Sequence, residues 1–290
     1  HALITIIYGH DLPRGLQPFR APFSASTTRP APRFNPLFFL ARASAPCPNH
    51  ASMKRLLLPV CLVALLISEA DAQAEPGAVP SIFADNNLVA WCIVPFDASR
   101  RAPEQRAEML ARLGITKIAY DWRKEHVPQF EAEILAMQRH RIEFFAFWSP
   151  LSATAEFQTM LKLCGQYNLH PQIWMIAPSR TAPTPEEQVA VNAGALLPFV
   201  EQAAKQKCRF ALYNHGGWFG EPENQIEILK ALDAPNVGLV YNLHHGHGHI
   251  DRFPKLLEAM KPYLLSLNLN GMKRGGDQVG DKILPLGNGE

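Results

Sequence analysis

The sequence predicts an α/β protein of the (β/α)8 TIM-barrel class, incomplete at its end, and three observations lead there. From Leu88 onward, seven short apolar runs alternate with amphipathic stretches. The runs are almost continuously apolar, the pattern of strands buried on both faces of a parallel sheet. Their spacing is regular and no glycine-rich dinucleotide fingerprint follows them, which favours a barrel over a doubly wound sheet.

The strand runs are Leu88–Val94, Ile115–Tyr120, Ile142–Phe147, Gln172–Ile176, Arg209–Tyr213, Val237–Tyr241 and Tyr263–Leu269. Helical spacing joins Met109, Leu110 and Leu113 in Pro103–Leu113, and Phe130, Ile134 and Met137 in Pro128–His140. It also joins Val189, Leu196, Leu197 and Val200 in Glu186–Lys205, and it recurs in Glu223–Leu232 and Ile250–Met260. Pro103, Pro128, Pro185 and Pro222 stand near helix starts, where a missing N–H costs nothing. The sequence reaches Glu290 with only seven such strands, so the last helix–strand–helix is expected to be absent. A barrel lacking one strand leaves two unpaired edges.

The first part of the chain reads differently. Residues 1–52 carry eight prolines and a single acidic residue, Asp11, with no sustained period. That composition cannot bury a core, and the segment is expected to be disordered, as upstream sequence translated out of place. Residues 53–74 have the three-part layout of a secretory signal peptide. Lys54 and Arg55 precede the apolar run Leu56–Ile67, and small residues follow around Ala70, Ala72 and Ala74. Twelve apolar residues interrupted by Pro59 fall short of the about twenty that a membrane span needs. The barrel is expected over 75–290 of an exported protein, periplasmic or secreted, with no stable membrane association after cleavage.

Removing residues 1–72 takes away seven Lys+Arg and three Asp+Glu, leaving 21 cations against 23 anions and no basic run. Nucleic-acid binding needs clustered cations to displace counterions, so no DNA or RNA partner is expected. Cys92, Cys164 and Cys208 lie in or beside apolar segments and read as buried free thiols.

In a barrel of this class, function gathers at the carboxyl ends of the strands. Those positions hold Asp121, Trp122, Arg123, Trp148, Asn214, His215, Trp218, Glu221, Asn242, Asn268 and Asn270. Four of the eleven histidines, His244, His245, His247 and His249, crowd the loop after Val237–Tyr241. Indole faces beside amides and imidazoles suit a sugar ring, the tryptophans meeting C–H faces and the amides meeting hydroxyls. Each tryptophan fits equally well as filler between barrel and helices. Asp121 equally suits a salt bridge with Arg123, and Glu221 a helix N-terminal charge before Pro222.

Three motifs then carry a family resemblance: Tyr213-Asn214-His215-Gly216-Gly217-Trp218, Asn242-Leu243-His244-His245 and Gly287-Asn288-Gly289-Glu290. Residues from about 86 to the end resemble the xylose-isomerase-like barrels of the sugar phosphate isomerase/epimerase family. The resemblance implies a divalent metal at the barrel mouth and carboxylates that move a proton next to a sugar carbonyl. The chain departs from the family's ligand pattern. The Glu of the family's fifth strand falls on Tyr213, the Asp of its sixth on Asn242 and the His of its seventh on Asn268, while His245 keeps the position of a substrate-contacting histidine. Neutral amides in place of carboxylates weaken a hard-cation site. Either the metal, zinc, manganese or similar, is lost, or it has moved to His215, His245 and His247.

The sequence therefore points to a sugar isomerase or epimerase acting on a carbohydrate. His245, Glu221 and Asp121 are the catalytic candidates. Trp122, Arg123, Trp148, Asn214, Trp218, Asn242, Asn268 and Asn270 are the substrate-binding ones. A keto-sugar lyase uses the same proton abstraction, and a non-catalytic carbohydrate-binding barrel uses the same mouth. An endonuclease of the apurinic type needs three metals and a positive groove, which the sequence does not supply.

Overall fold

The structure, a computed structural model, describes Leu3–Thr5, residues 84–285, Asn288 and Gly289, all in one compact unit. The expected signal peptide, and residues 1–52 apart from Leu3–Thr5, lie outside the described residues.

Seven strands stand where the apolar runs placed them: β2 (Leu88–Val89), β3 (Lys117–Tyr120), β4 (Glu143–Pro150), β5 (Gln172–Ile176), β6 (Arg209–Tyr213), β7 (Val237–Asn242) and β8 (Leu264–Asn268). All pairings among them are parallel, and a bridge between Ala90 and Ile118 joins β2 to β3. The stave between β8 and β2 is β1, Leu3–Thr5, which pairs in parallel with both. These three residues belong to a leader whose composition gives no sign of a strand.

The helices are α1 (Pro103–Arg112), α2 (Phe130–Arg139), α3 (Thr154–Tyr167), α4 (Pro185–Lys205), the single turn α5 (Gly217–Gly220), α6 (Pro222–Leu232) and α7 (Phe253–Met260). Proline opens α1, α4 and α6 at their first turns, as read. At the start of α4 the Glu187 amide donates to Thr184 Oγ1 at 3.2 Å and the Thr184 amide to Glu187 Oε2 at 3.1 Å, a closed capping box. Helix α3 has no counterpart in the sequence reading. It buries Phe157, Met160, Leu161 and Cys164 on one stripe, but it begins after Ala153 with no proline or side-chain cap to mark the start.

Strand alternation sorts the core into two layers. Ile118, Tyr120, Ile173, Met175, Phe210, Leu212, Leu239 and Tyr241 face outward and meet the helices. Val89, Trp91, Ala119, Phe145, Trp174, Ala211, Tyr213 and Val240 fill the interior. Trp174 meets Trp91 edge-on at 5.0 Å and stacks on Tyr213 at 6.2 Å. Gln172 Oε1 accepts from both Trp174 Nε1 (2.9 Å) and, across the barrel, Ser266 Oγ (3.0 Å). This plug of rings is a solid floor, and truncating a buried ring of that size costs about 3–5 kcal/mol. Cys92, Cys164 and Cys208 are buried and free, as the sequence suggests.

Candidate functional site

Above the aromatic floor, at the carboxyl ends of the strands, lies a cavity of about 200 Å³. Trp91 and Cys92 enter it from the end of β2, and Asp121 and Arg123 from the end of β3. Trp148 comes from β4, Tyr213 and His215 from β6, and Asn242, His244 and His245 from β7. Phe96 and Ile283 complete its rim.

Among the described residues, Asp121 is the one carboxylate lining this cavity. It is 1% exposed, and neither oxygen has a hydrogen-bond partner among the described residues. Burial drives its pKa up to about 8, against the opposing pull of the Arg123 charge. Cys92 beside it has φ +59, a conformation costly for a side-chain-bearing residue, and burial holds its thiol well above the usual range.

His215 and His245 face each other with ring centroids 4.5 Å apart, and His245 meets Tyr213 edge-on at 5.8 Å. Burial, reinforced by His244, His215 and Lys282, lowers His245 to about 3. Burial also lowers His215, with Lys282 and Arg123 adding to the effect. Both rings are therefore neutral near pH 7 and serve as hydrogen-bond partners rather than as charges.

Arg123 is fixed at the rim. Its Nη1 donates to the carbonyls of Asp121 (2.9 Å) and Trp122 (2.8 Å), and its guanidinium lies over Phe96 at 5.5 Å and Trp148 at 5.2 Å.

The loops that hold these groups depend on glycine at two places. Gly216 and Gly217, at φ +83 and +64, turn the chain directly after His215. A Cβ on Gly246 would lie 2.3 Å from the Tyr241 hydroxyl, so the histidine loop can close over β7 only with glycine there.

Several sequence candidates sit elsewhere. Trp122 is buried in the barrel–helix layer, stacked on Phe147 at 5.7 Å, with Nε1 donating to the Trp148 carbonyl at 2.7 Å. Trp218 packs on the same layer, so both are filler. Asn214 and Asn242 spend their amides on the protein. Asn242 N donates to Asn214 Oδ1 (2.6 Å), Asn214 Nδ2 to the Asn242 carbonyl (3.1 Å), and Asn242 Nδ2 to the Tyr213 hydroxyl. Asn242 Oδ1 also accepts the His244 amide at 3.0 Å, which sets the turn into the histidines. Asn268 pairs in register with Asn242 and shares a strand face with Ser266, but it does not line the cavity. Asn270 lines a separate apolar cavity with Phe253 and Met272.

Glu221 is not in the cavity. It ties His249 Nε2 (3.2 Å) and Arg252 Nη2 (2.6 Å), and His249 Nδ1 meets the buried Tyr241 hydroxyl at 2.8 Å. That cluster anchors the loop between β7 and α7 to the start of α6.

The expected metal set also fails to assemble. His247 turns away from the cavity, its Nε2 2.7 Å from the Lys282 carbonyl and its Nδ1 3.6 Å from Asp277. Among the described residues no three His, Cys, Asp or Glu side chains are grouped to hold a metal ion. The facing His215 and His245 rings alone do not complete a divalent site.

Trp91 and Cys92 carry no sequence signal of a site, because the apolar run Leu88–Val94 continues past them without a break. The strand stops at Val89 with a bridge at Ala90, which places Trp91 and Cys92 at the mouth. Tyr213 could have been found from strand parity, since Ala211 and Tyr213 share the interior face.

No protein-family model and no curated protein matches the chain. It is similar to solved structures at low identity. The 3-keto-D-glucoside 4-epimerase from E. coli is 12% identical over 58% of this chain and 73% of its own, with a TM-score of 0.47. The IOLI protein with a bound zinc atom is 16% identical over 59% and 69%, TM-score 0.48. A xylose isomerase-like TIM barrel protein from Mycobacterium smegmatis in complex with magnesium is 11% identical over 59% and 68%, TM-score 0.43. Of these three, the last is by its own description a xylose isomerase-like TIM barrel. At such scores the fold of this chain rests on its own sheet.

Proposed function

We propose that the mouth cavity is the active site of an isomerase or epimerase that moves a proton on the carbon next to the carbonyl of a sugar or keto-sugar. The observation that carries this reading is Asp121, a buried carboxyl with a pKa of about 8 in the same cavity as two neutral imidazoles. A proton-transfer group works best when its pKa lies near the working pH, and burial achieves that here. The sequence resemblance to sugar isomerases names the same chemistry.

In this mechanism ionised Asp121 takes the proton, and negative charge develops on the neighbouring carbonyl oxygen. The N–H groups of the neutral His215 and His245 rings stabilise that oxygen. Asp121 then returns the proton to the adjoining carbon in an isomerisation, as the hydroxyl proton passes between the two oxygens. In an epimerisation the opposite face of the same carbon takes a proton from water, and Asp121 gives its own to the hydroxide left. Trp148 and Phe96 supply apolar faces to the ring or chain of the sugar. The cavity is below the about 300–1,000 Å³ of drug-sized sites, which suits a monosaccharide. The residues present do not fit the family's metal, and no step passes through one.

The test is solvent deuterium uptake into a panel of unphosphorylated ketohexoses, followed by mass spectrometry. Wild type incorporates deuterium and Asp121→Asn loses at least about 100-fold of the rate. Uptake undiminished in Asp121→Asn removes the assignment. Uptake accompanied by loss of a β-hydroxyl assigns a lyase instead, and affinity without uptake assigns a binding barrel.

A further inference from the structure

We infer that the ligand of this cavity is an anion, a sugar acid or keto-sugar acid whose carboxylate is received by Arg123. The inference deepens the proposed function and rests on it for the site, but it makes its own claim about charge.

The charges around the cavity are unbalanced. Among the described residues, Arg123 is the one permanently charged side chain lining it. The Lys282 ammonium is close enough to depress both His215 and His245, and its neighbour Ile283 lines the rim. Against these stands a single acid, Asp121, whose burial keeps most of it protonated at neutral pH. His215 and His245 add no charge there. The occupant therefore meets a positive field with no internal counter-ion, in a partly desolvated space where a charge interaction exceeds its value in water.

The geometry of Arg123 specifies what kind of anion fits. Only Nη1 is engaged, by two backbone carbonyls. Among the described residues Nε and Nη2 make no hydrogen bond, so one two-pronged edge of the guanidinium remains for a ligand. That edge matches the two oxygens of a carboxylate. The aromatic faces of Phe96 and Trp148 hold the plane in position, which lowers the entropy lost on binding. A neutral sugar would leave this arginine uncompensated. A phosphosugar would bring about two charges and three oxygens to one fork.

The pair that isolates the carboxylate is D-gluconate and D-glucitol, which share a carbon skeleton and differ in charge at one end. Calorimetric titration of the full chain is expected to give gluconate at least tenfold tighter binding than glucitol at low salt, with the advantage shrinking in 300 mM NaCl. Arg123→Gln brings gluconate down to the level of glucitol. Arg123→Lys keeps the charge but not the fork, and retains part of the advantage. Circular dichroism melting of each variant separates lost binding from lost folding.

Glucitol binding as tightly as gluconate overturns the inference. So does a gluconate preference that survives Arg123→Gln in a folded variant, or no binding of either compound. Failure of the proposed function looks different: gluconate preferred, yet no deuterium uptake by any keto-sugar or keto-acid. Uptake into neutral ketohexoses without an anion preference leaves the isomerase reading and removes this one.

Discussion

Asn214 and Asn242 clasp each other across the ends of β6 and β7, the side chain of the first bonding both the amide and the carbonyl of the second. The amides that look like sugar ligands in the sequence are therefore part of the frame that aims His244 and His245. Asn214→Ala is expected to cost about 1–3 kcal/mol, because it strands two buried backbone groups. Urea unfolding measures it. A stability unchanged from wild type would return Asn214 to the list of ligand-binding residues.

Asp121 sets stability and activity in opposition as pH changes. Its pKa in the folded chain, about 8, stands above the roughly 4 of an unfolded aspartate. Such a group contributes fully below the unfolded value, and the contribution is lost as pH rises through about 8. Asp121→Asn cannot titrate and escapes that loss. Its melting temperature is expected to gain on wild type steadily from pH 4.5 to 8.5, while the deuterium uptake of wild type rises over the same range. A difference in melting temperature that stays flat across the range would mean the carboxyl titrates normally.

The seven strands of residues 88–268 were legible because parallel strands buried on both sides must be apolar throughout, and seven such runs are hard to produce otherwise. Helix α3 was not, since its stripe of Phe157, Met160, Leu161 and Cys164 lacks the proline that announces α1, α4 and α6. The mouth was legible in part. Asp121, Arg123, Trp148, His215, Asn242 and His245 line the cavity as their strand-end positions suggested. Glu221, Trp122, Trp218 and His247 share the same loops yet point elsewhere. Which way a side chain leaves a loop depends on long-range partners such as Arg252 for Glu221 or Lys282 for His247, and no local pattern encodes them. The role of Leu3–Thr5 in the sheet is the extreme case, since pairing with β2 and β8 spans most of the chain.

Glu221 provides a control for the site. Its side chain and that of Arg252 are both more than a third exposed, so their ion pair contributes little. Glu221→Gln is expected to lower stability by less than about 1 kcal/mol and to leave deuterium uptake within twofold of wild type. Loss of uptake comparable to that of Asp121→Asn would restore Glu221 to the catalytic groups.

The donor set makes a separate prediction about metals. His215 and His245 lack a third ligand because His247 is held by the Lys282 carbonyl. Dialysis against EDTA is expected to change uptake less than twofold, and His247→Ala to leave any zinc affinity measured by titration unaltered. Activity that vanishes on chelation and returns with zinc or manganese would show that the histidines rearrange into a site.

Away from the mouth, the deepest charge pair joins α1 to α2. Arg106 Nε and Nη2 reach the two oxygens of Glu133 at 2.8 and 3.2 Å, with both side chains about 1% exposed or less. Two ions taken out of water lose solvation that their attraction only partly returns, so the pair as a whole adds little. Breaking it is different, because one buried charge is left alone. Glu133→Gln is expected to cost about 3–5 kcal/mol, enough to unfold much of a marginal domain. Replacing both partners with apolar residues of similar volume, Arg106→Met with Glu133→Leu, should recover most of that loss. Denaturant unfolding of Glu133→Gln and of the double variant tests this. A double variant as destabilised as Glu133→Gln would mean the cost comes from lost packing and hydrogen bonds and not from a stranded Arg106 charge.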